Sequence, residues 1–316
     1  MRGCRCRDAR RSEHTEVQTR LVRDRSRSAF IGAFLAPALG VYAFFVIYPF
    51  LQAVLFSTYR WRGLSQNKQF VGIENFRNLF SDPVFWQAVK NNLWLLFVAG
   101  AIAIAISVGV ATGARGKSRL SRSLRGVYLF PQVISLVVVA ILWYFVFSPE
   151  IGLLNGGLRA IGLDSLAKPW LGQPSTALAA VGIAFVWYVS GFYVMLFAAG
   201  IQSIPSEVFE AAELDGAHGF RRFRTVIWPM LWSVKRVAVV YMVINVMNVF
   251  ALVLLMTRGG PDRKTEVMLT YLYEQAFTNS QFGYATSLAV ANFVIIMALS
   301  LGILFYFRRS PMEARR

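Results

Sequence analysis

Glu210-Ala211-Ala212-Glu213-Leu214-Asp215-Gly216-Ala217, running on to Val226-Ile227-Trp228-Pro229, is a charged, helix-prone stretch punctuated by one glycine. Two long segments without a single ionisable side chain flank it, residues 169–206 and 237–257. Four more such segments occupy 28–59, 91–114, 126–149 and 275–307. Each can supply the roughly 20 apolar residues that cross a bilayer as a helix. The runs are too long, and alternate too little, for membrane strands. The expected architecture is therefore all-α and integral to the membrane. Six transmembrane helices are expected at about 30–51, 92–112, 127–147, 177–200, 237–256 and 285–307, with the charged stretch in the loop between spans four and five.

Composition agrees. Of 316 residues, 56% are hydrophobic and 16% charged, too little charge to cover a soluble domain of this length. With six spans both termini share a side. That side collects the tail 1–28, the loops 113–126 and 201–236, and the C-terminus, and it holds 23 of the 33 Lys and Arg. The positive-inside rule makes it cytoplasmic. The net charge of +17 is thus mostly a topology signal, and no folded basic domain is present to bind nucleic acid.

The Arg-rich tail 1–28 reads as a separate, disordered cytoplasmic segment held near anionic lipid, with residues 29–316 as the transmembrane domain. The apolar run after the tail is too long for a signal peptide, so an uncleaved first span is expected. Cys4 and Cys6 have no further ligands beside them, and His14 and His218 stand alone, so no metal site is expected. The segment Ala111-Thr112-Gly113-Ala114-Arg115-Gly116-Lys117-Ser118 approximates a phosphate-binding loop. A membrane helix precedes it where such a loop needs a buried strand, so it reads as a basic inner loop and no nucleotide is expected on this chain.

None of the six expected spans contains an Asp, Glu, Lys, Arg or His. Ion-coupled transporters need such groups at membrane depth, and a membrane hydrolase needs a converging nucleophile, base and acid. Neither class is expected, the chain is not read as an enzyme, and energy has to enter through a cytoplasmic loop. In the long inner loop, Pro205 suits a helix start and Glu207, Glu210 and Glu213 recur every third residue. Gly216 can close that helix in a left-handed conformation. A second short helix begins near Phe220, and Pro229 marks entry to span five. From the residues alone, an amphipathic hairpin with solvated charges resting on the inner leaflet is the competing reading.

The loop resembles the coupling loop of bacterial ABC importer permeases, whose pattern is Glu-Ala-Ala, three residues, Gly, nine residues, Ile-x-Leu-Pro. Glu210-Ala211-Ala212, Gly216 and Pro229 keep that spacing within 203–231, with Val226 and Trp228 as apolar departures. Asp215-Gly216-Ala217, Asn75-Phe76, and Thr257-Arg258-Gly259-Gly260-Pro261 with Tyr271 and Gly283-Tyr284-Ala285 resemble the carbohydrate permeases of the maltose-transporter type. The resemblance covers most of 30–307. It implies a multi-pass protein of the bacterial inner (plasma) membrane, binding-protein-dependent sugar transport, and a second homologous permease as partner. It also implies two cytoplasmic subunits that bind the ATP and an extracytoplasmic solute-binding protein. Glu210, Ala211, Ala212, Asp215, Gly216 and Pro229 would then couple the chain to the ATPase, with no cofactor of its own.

A sugar site needs amides for hydroxyl groups and aromatic faces for the C–H surface. Tyr241, Asn245 and Asn248 share a helical face of span five, and Tyr193 and Asn292 add to it from spans four and six. Asn245 and Asn248 lie where the resemblance places sugar-contacting asparagines, by spacing only. The same amides would equally hold helices together. A permease for another polar solute such as glycerol phosphate, or a membrane sensor or scaffold displaying the same loop, are the alternatives to a sugar permease.

Overall fold

The structure is a computed structural model and describes residues 30–63, 67–113 and 130–308. The tail 1–28 with Cys4, Cys6 and His14, nearly all of the loop 113–126, and the last eight residues lie outside the described residues. The chain divides into two units, residues 1–55 and 56–316.

Helix α1 (Phe30–Phe56), all but its last residue in the first unit, is continuous. Pro37 is accommodated without a break. A wide turn of five-residue periodicity, Ala43–Ile47, directly precedes Pro49. Widening there removes the clash between the proline ring and the carbonyl four residues back.

Among its described residues the second unit holds helices, their connecting turns and one two-residue antiparallel ladder, β1 (Tyr59–Arg60) against β2 (Gln69–Phe70). Helix α2 (Glu74–Ser81) follows, then α3 (Pro83–Gly113). Span two was expected to begin near residue 92. It begins at Pro83, because the Asp82 carboxylate accepts from the Val84 N–H at 2.8 Å and Pro83 fits the first turn, so the helix starts there and never breaks. Helix α4 (Leu136–Val146) is only 11 residues long, and α5 (Leu153–Ala160) lies in the Gly- and Pro-rich loop after it. Then come α6 (Ala177–Gln202), α7 (Ser206–Leu214), α8 (Gly219–Met230), α9 (Trp232–Met247), α10 (Ala251–Met256), α11 (Met268–Tyr273) and α12 (Phe282–Tyr306). Among the described residues four helices, α1, α3, α6 and α12, are long and apolar enough to cross a membrane, and the bent pair α8–α9 makes a fifth candidate.

The core is built where small residues let backbones approach. On α3, Gly100, Ala103, Ser107 and Ala111 are buried, and on α6 Ala177, Ala180, Ala184 and Ser190 are buried. Ser107 Oγ donates to the Ser190 carbonyl at 3.1 Å across this pair. Without a hydrophobic difference between lipid and helix, close packing and such bonds hold membrane helices together. Gly283, at the start of α12, admits the Tyr59 carbonyl so closely that a Cβ would sit 1.9 Å from its oxygen.

The expected span at 237–256 is two helices. Helix α9 starts earlier, at Trp232, and ends at Met247, and Phe250 leaves helical geometry (φ −138°, ψ −68°). A broken helix at membrane depth must have its freed carbonyls satisfied by protein. Asn92 of α3 donates to the Val246 carbonyl at 2.8 Å, and Asn292 of α12 reaches the Met247 carbonyl at 3.5 Å. Asn92 Oδ1 also accepts from the Met268 N–H at 2.9 Å, holding the start of α11.

Candidate functional site

The charged stretch folds as the helix its caps dictate. Pro205, extended (φ −56°, ψ 145°), precedes α7, and Gly216 at φ +70° ends it. Ala217 N–H donates to the Ala212 carbonyl at 2.8 Å and Gly216 N–H to the Glu213 carbonyl at 3.0 Å. This paired closure satisfies the last carbonyls, and it requires a left-handed residue at Gly216. Ala212 and Ala217, which the closure brings together, are both buried. Ala211, Glu207, Glu210, Glu213 and Asp215 are exposed. None of the four acidic groups forms an ion pair among the described residues. Leu214 projects beside them, 90% exposed. The result is a short rigid helix with an outward acidic face and one bare apolar side chain.

Helix α8 carries Arg221, Arg222 and Arg224, and meets α9 at a 74° bend. Pro229 lies in the last turn before the bend, after another wide turn, Phe223–Ile227, that makes room for its ring as at Pro49. Leu231, fully buried, is the pivot. Lys235 falls inside α9, whereas the sequence places it in the inner loop. It is 8% exposed, its ammonium lying 4.2 Å from the Trp228 ring centre and 5.0 Å from that of Trp232. Two indole faces stand in for water around the cation. Trp232 Nε1–H in turn donates to the Phe307 carbonyl at 3.2 Å, tying the bend to the end of α12. Trp232 and Lys235, three residues apart, share a face of α9, and Trp228 reaches the cation from α8 across the bend, which no single-helix spacing shows.

Of the five polar span residues, the structure brings three together. Tyr193, on α6, is buried with its ring 6.4 Å from that of Tyr241 on α9. Its hydroxyl meets no partner in good hydrogen-bond geometry, with Asn245 beside it. Asn245 donates to the Tyr241 carbonyl at 2.8 Å and Asn248 to that of Ile244 at 2.8 Å, so both amides keep their oxygens for another donor. Asn248 stands exposed at the end of α9, and Asn292 is buried at the same break with Oδ1 unpartnered. The cluster is uncharged, aromatic on one side and amide on the other.

A second polar network on the opposite end of the helices was not singled out by sequence. Asp82 accepts hydrogen bonds from the hydroxyls of Tyr271 and Tyr284. Burial pushes the Asp82 carboxyl up, but these two bonds and those from the Val84 and Phe85 N–H groups outweigh it and hold it below the ordinary value. Arg263 forms a bidentate pair with Glu274 at 2.7 and 2.8 Å and a longer one with buried Glu266 at 3.3 Å. Burial raises the Glu266 carboxyl, against the lowering effect of the Thr270 hydroxyl and Arg263. Asn91 Nδ2 donates to the Lys264 and Glu266 carbonyls at 3.0 and 2.8 Å, fastening the loop to α3. Among the described residues no group of three or more His, Cys, Asp or Glu could hold a metal ion.

Comparison with known proteins gives the family. The family described as "Binding-protein-dependent transport system inner membrane component" matches residues 101–309. The chain is 39% identical over 284 residues to the probable ABC transporter permease protein YurN of Bacillus subtilis, covering 89% of this chain and 96% of that one. It is 35% identical over 276 residues to the diacetylchitobiose uptake system permease protein NgcF of Streptomyces coelicolor, covering 84% and 78%. A bacterial ABC transporter involved in the import of the acidic polysaccharide alginate contains a chain of the same fold, with a TM-score of 0.77 and 24% identity. That match covers 92% of this chain and 99% of the other.

Proposed function

Because this chain belongs to the family of binding-protein-dependent transport system inner membrane components, we propose that it is one of two permease subunits of an ATP-driven importer and lines the path of a sugar. The relative NgcF, which serves diacetylchitobiose uptake, supports a carbohydrate as solute. So do the cluster of Tyr193, Tyr241 and Asn245 and the separate amides of Asn248 and Asn292 at the end of α9, which offer ring faces and amides and no charge. Six spans result if α4 and α9, the second half of the bent pair, are added to the four long helices, and the excess of Lys and Arg then argues for both termini on the cytoplasmic side with α7 and α8.

The observation that carries the coupling role is the closure of α7. A helix ended by Gly216 in the left-handed region, with Glu207, Glu210 and Glu213 unpaired among the described residues, is a preformed plug for a complementary cleft. Its partner is an ATP-binding subunit, and a solute-binding protein delivers the sugar on the opposite side. Ala211 and Ala212 keep the helix thin, Asp215 and Gly216 turn the chain, and Pro229 with Leu231 sets the angle at which motion of the hairpin enters α9. Nucleotide-driven closure of the ATPase pair tips the spans through that bend.

Reconstitution of the permease pair with its ATPase and loaded binding protein tests this. Replacing Glu210 by Ala is expected to keep the protein in the membrane and to uncouple hydrolysis from uptake. Normal uptake per ATP in that variant removes the coupling role from α7. Asn245→Ala and Asn248→Ala test the path, and unchanged uptake in both removes them from it.

A further inference from the structure

A groove of 1040 Å³ runs between the second half of α3 and α8. Its α3 wall extends from Ala101 to Gly113, about 18 Å at the helical rise. The two ends differ. The deep end is apolar, lined by residues such as Ile104 and Val108. The other carries Arg222 and Arg224 with Phe223 and Trp228. Helix register fixes which end is which. Gly100 packs on Met242, ten residues beyond the start of α9, so α8 lies beside the Thr112–Gly113 end of α3. Neither arginine is ion-paired among the described residues.

We infer that this groove is a binding site for an anionic phospholipid, with an acyl chain along Ile104 and Val108 and the phosphate on Arg222 and Arg224. Charge complementarity selects this occupant. Guanidinium groups grip phosphate oxygens through paired N–H donors. Basic pockets between membrane helices on the cytoplasmic side hold anionic head groups, and the indole of Trp228 suits the level where chain meets head group. A free phosphate would leave the apolar shaft unfilled, and a zwitterionic lipid would place its own cation against the arginines. The polarity of the groove, apolar within the span and cationic at α8, matches that of a lipid in the leaflet that contains α8. The inner-leaflet assignment rests on the proposed orientation; the lipid itself does not.

Native mass spectrometry of the intact transporter, extracted and supplied with phosphatidylglycerol or phosphatidylcholine, tests the site. The native complex is expected to retain phosphatidylglycerol and not phosphatidylcholine. The double variant Arg222→Gln/Arg224→Gln is expected to retain about tenfold less or lower still, the loss that removal of charge-assisted bonds gives. Gly109→Phe blocks the shaft without touching a cation. A Cβ at Gly109 meets no atom within 4 Å, so the backbone accepts a side chain there; a native thermal midpoint without added lipid checks the fold, and this variant too is expected to lose the lipid. Thermal unfolding of each variant, with phosphatidylglycerol, phosphatidylcholine or inorganic phosphate added, completes the set. Only phosphatidylglycerol stabilises the native complex if the inference holds. Equal retention in both variants, equal retention of phosphatidylcholine, or an equal shift with inorganic phosphate overturns it. The readout needs no nucleotide, binding protein or sugar, so its failure and a failure of ATP-driven uptake are separate results.

Discussion

Replacing Gly216 by Ala isolates the closure of α7 from every other feature of the loop. A Cβ at this position meets no atom within 4 Å, so nothing is displaced and the cost is conformational alone. Gly216 sits at φ +70°, where an L side chain costs about 1–2 kcal/mol. That shifts the open-to-closed ratio of the turn by a factor of about 5–30 and leaves most of a domain's stability in place. The protein should therefore still enter the membrane and unfold near the native temperature. The local effect is read from amide exchange at Gly216 and Ala217, whose N–H groups bond the Glu213 and Ala212 carbonyls. The functional effect is read as sugar imported per ATP hydrolysed in proteoliposomes. Both are expected to change in Gly216→Ala, with exchange faster by a factor within about that range and the ratio lower than native. Gly216→Asn should lie between Ala and the native chain, since Asn tolerates the left-handed region better. Native exchange and a native ratio in Gly216→Ala would refute the reasoning that the turn holds α7 in its working shape.

Three further substitutions follow from the packing. Gly283→Ala puts a Cβ 1.9 Å from the Tyr59 carbonyl oxygen, a backbone atom with no room to move, so a large fall in thermal midpoint or loss of accumulated protein is expected; a native midpoint contradicts the packing. Asn92→Leu leaves the Met268 N–H buried without its partner, at about 1–3 kcal/mol, and takes from the Val246 carbonyl its side-chain donor while the Val249 N–H at 3.2 Å remains, so differential scanning should show a clear destabilisation. Because burial raises the Glu266 carboxyl above its ordinary value of 4.5, its contribution to stability is full below that value and is lost as pH rises through the folded value. Glu266→Gln should flatten that decline, and parallel midpoint-against-pH curves for the two proteins would rule it out.

Much of this fold is visible in the residues. Runs without charge place the long helices, and Pro205 and Gly216 mark the ends of α7 because each acts locally, one through its fixed φ and the other through its freedom at positive φ. The break after Met247 is hidden, since 237–257 is uniformly apolar and only Asn92 and Asn292, far away in sequence, make an interruption tolerable there. The early start of α3 was within reach: Asp82-Pro83 is a helix-start signature, but the charged Lys90 seven residues on draws the eye to a later beginning. Lys235 looks like one more inner-loop cation until its two indole neighbours are in place. Tyr241, Asn245 and Asn248 are legible in the sequence as a helical face on α9. Their grouping with Tyr193 depends on how α6 packs, which no single-helix pattern encodes.

The most direct test is vectorial. Sealed vesicles carrying the permease pair and its ATPase are given sugar-loaded binding protein on one face and ATP on either face in turn. The account predicts accumulation of sugar only when hydrolysable ATP is on the face that bears α7, opposite the binding protein. Accumulation without nucleotide, or with nucleotide acting only from the other face, would contradict it.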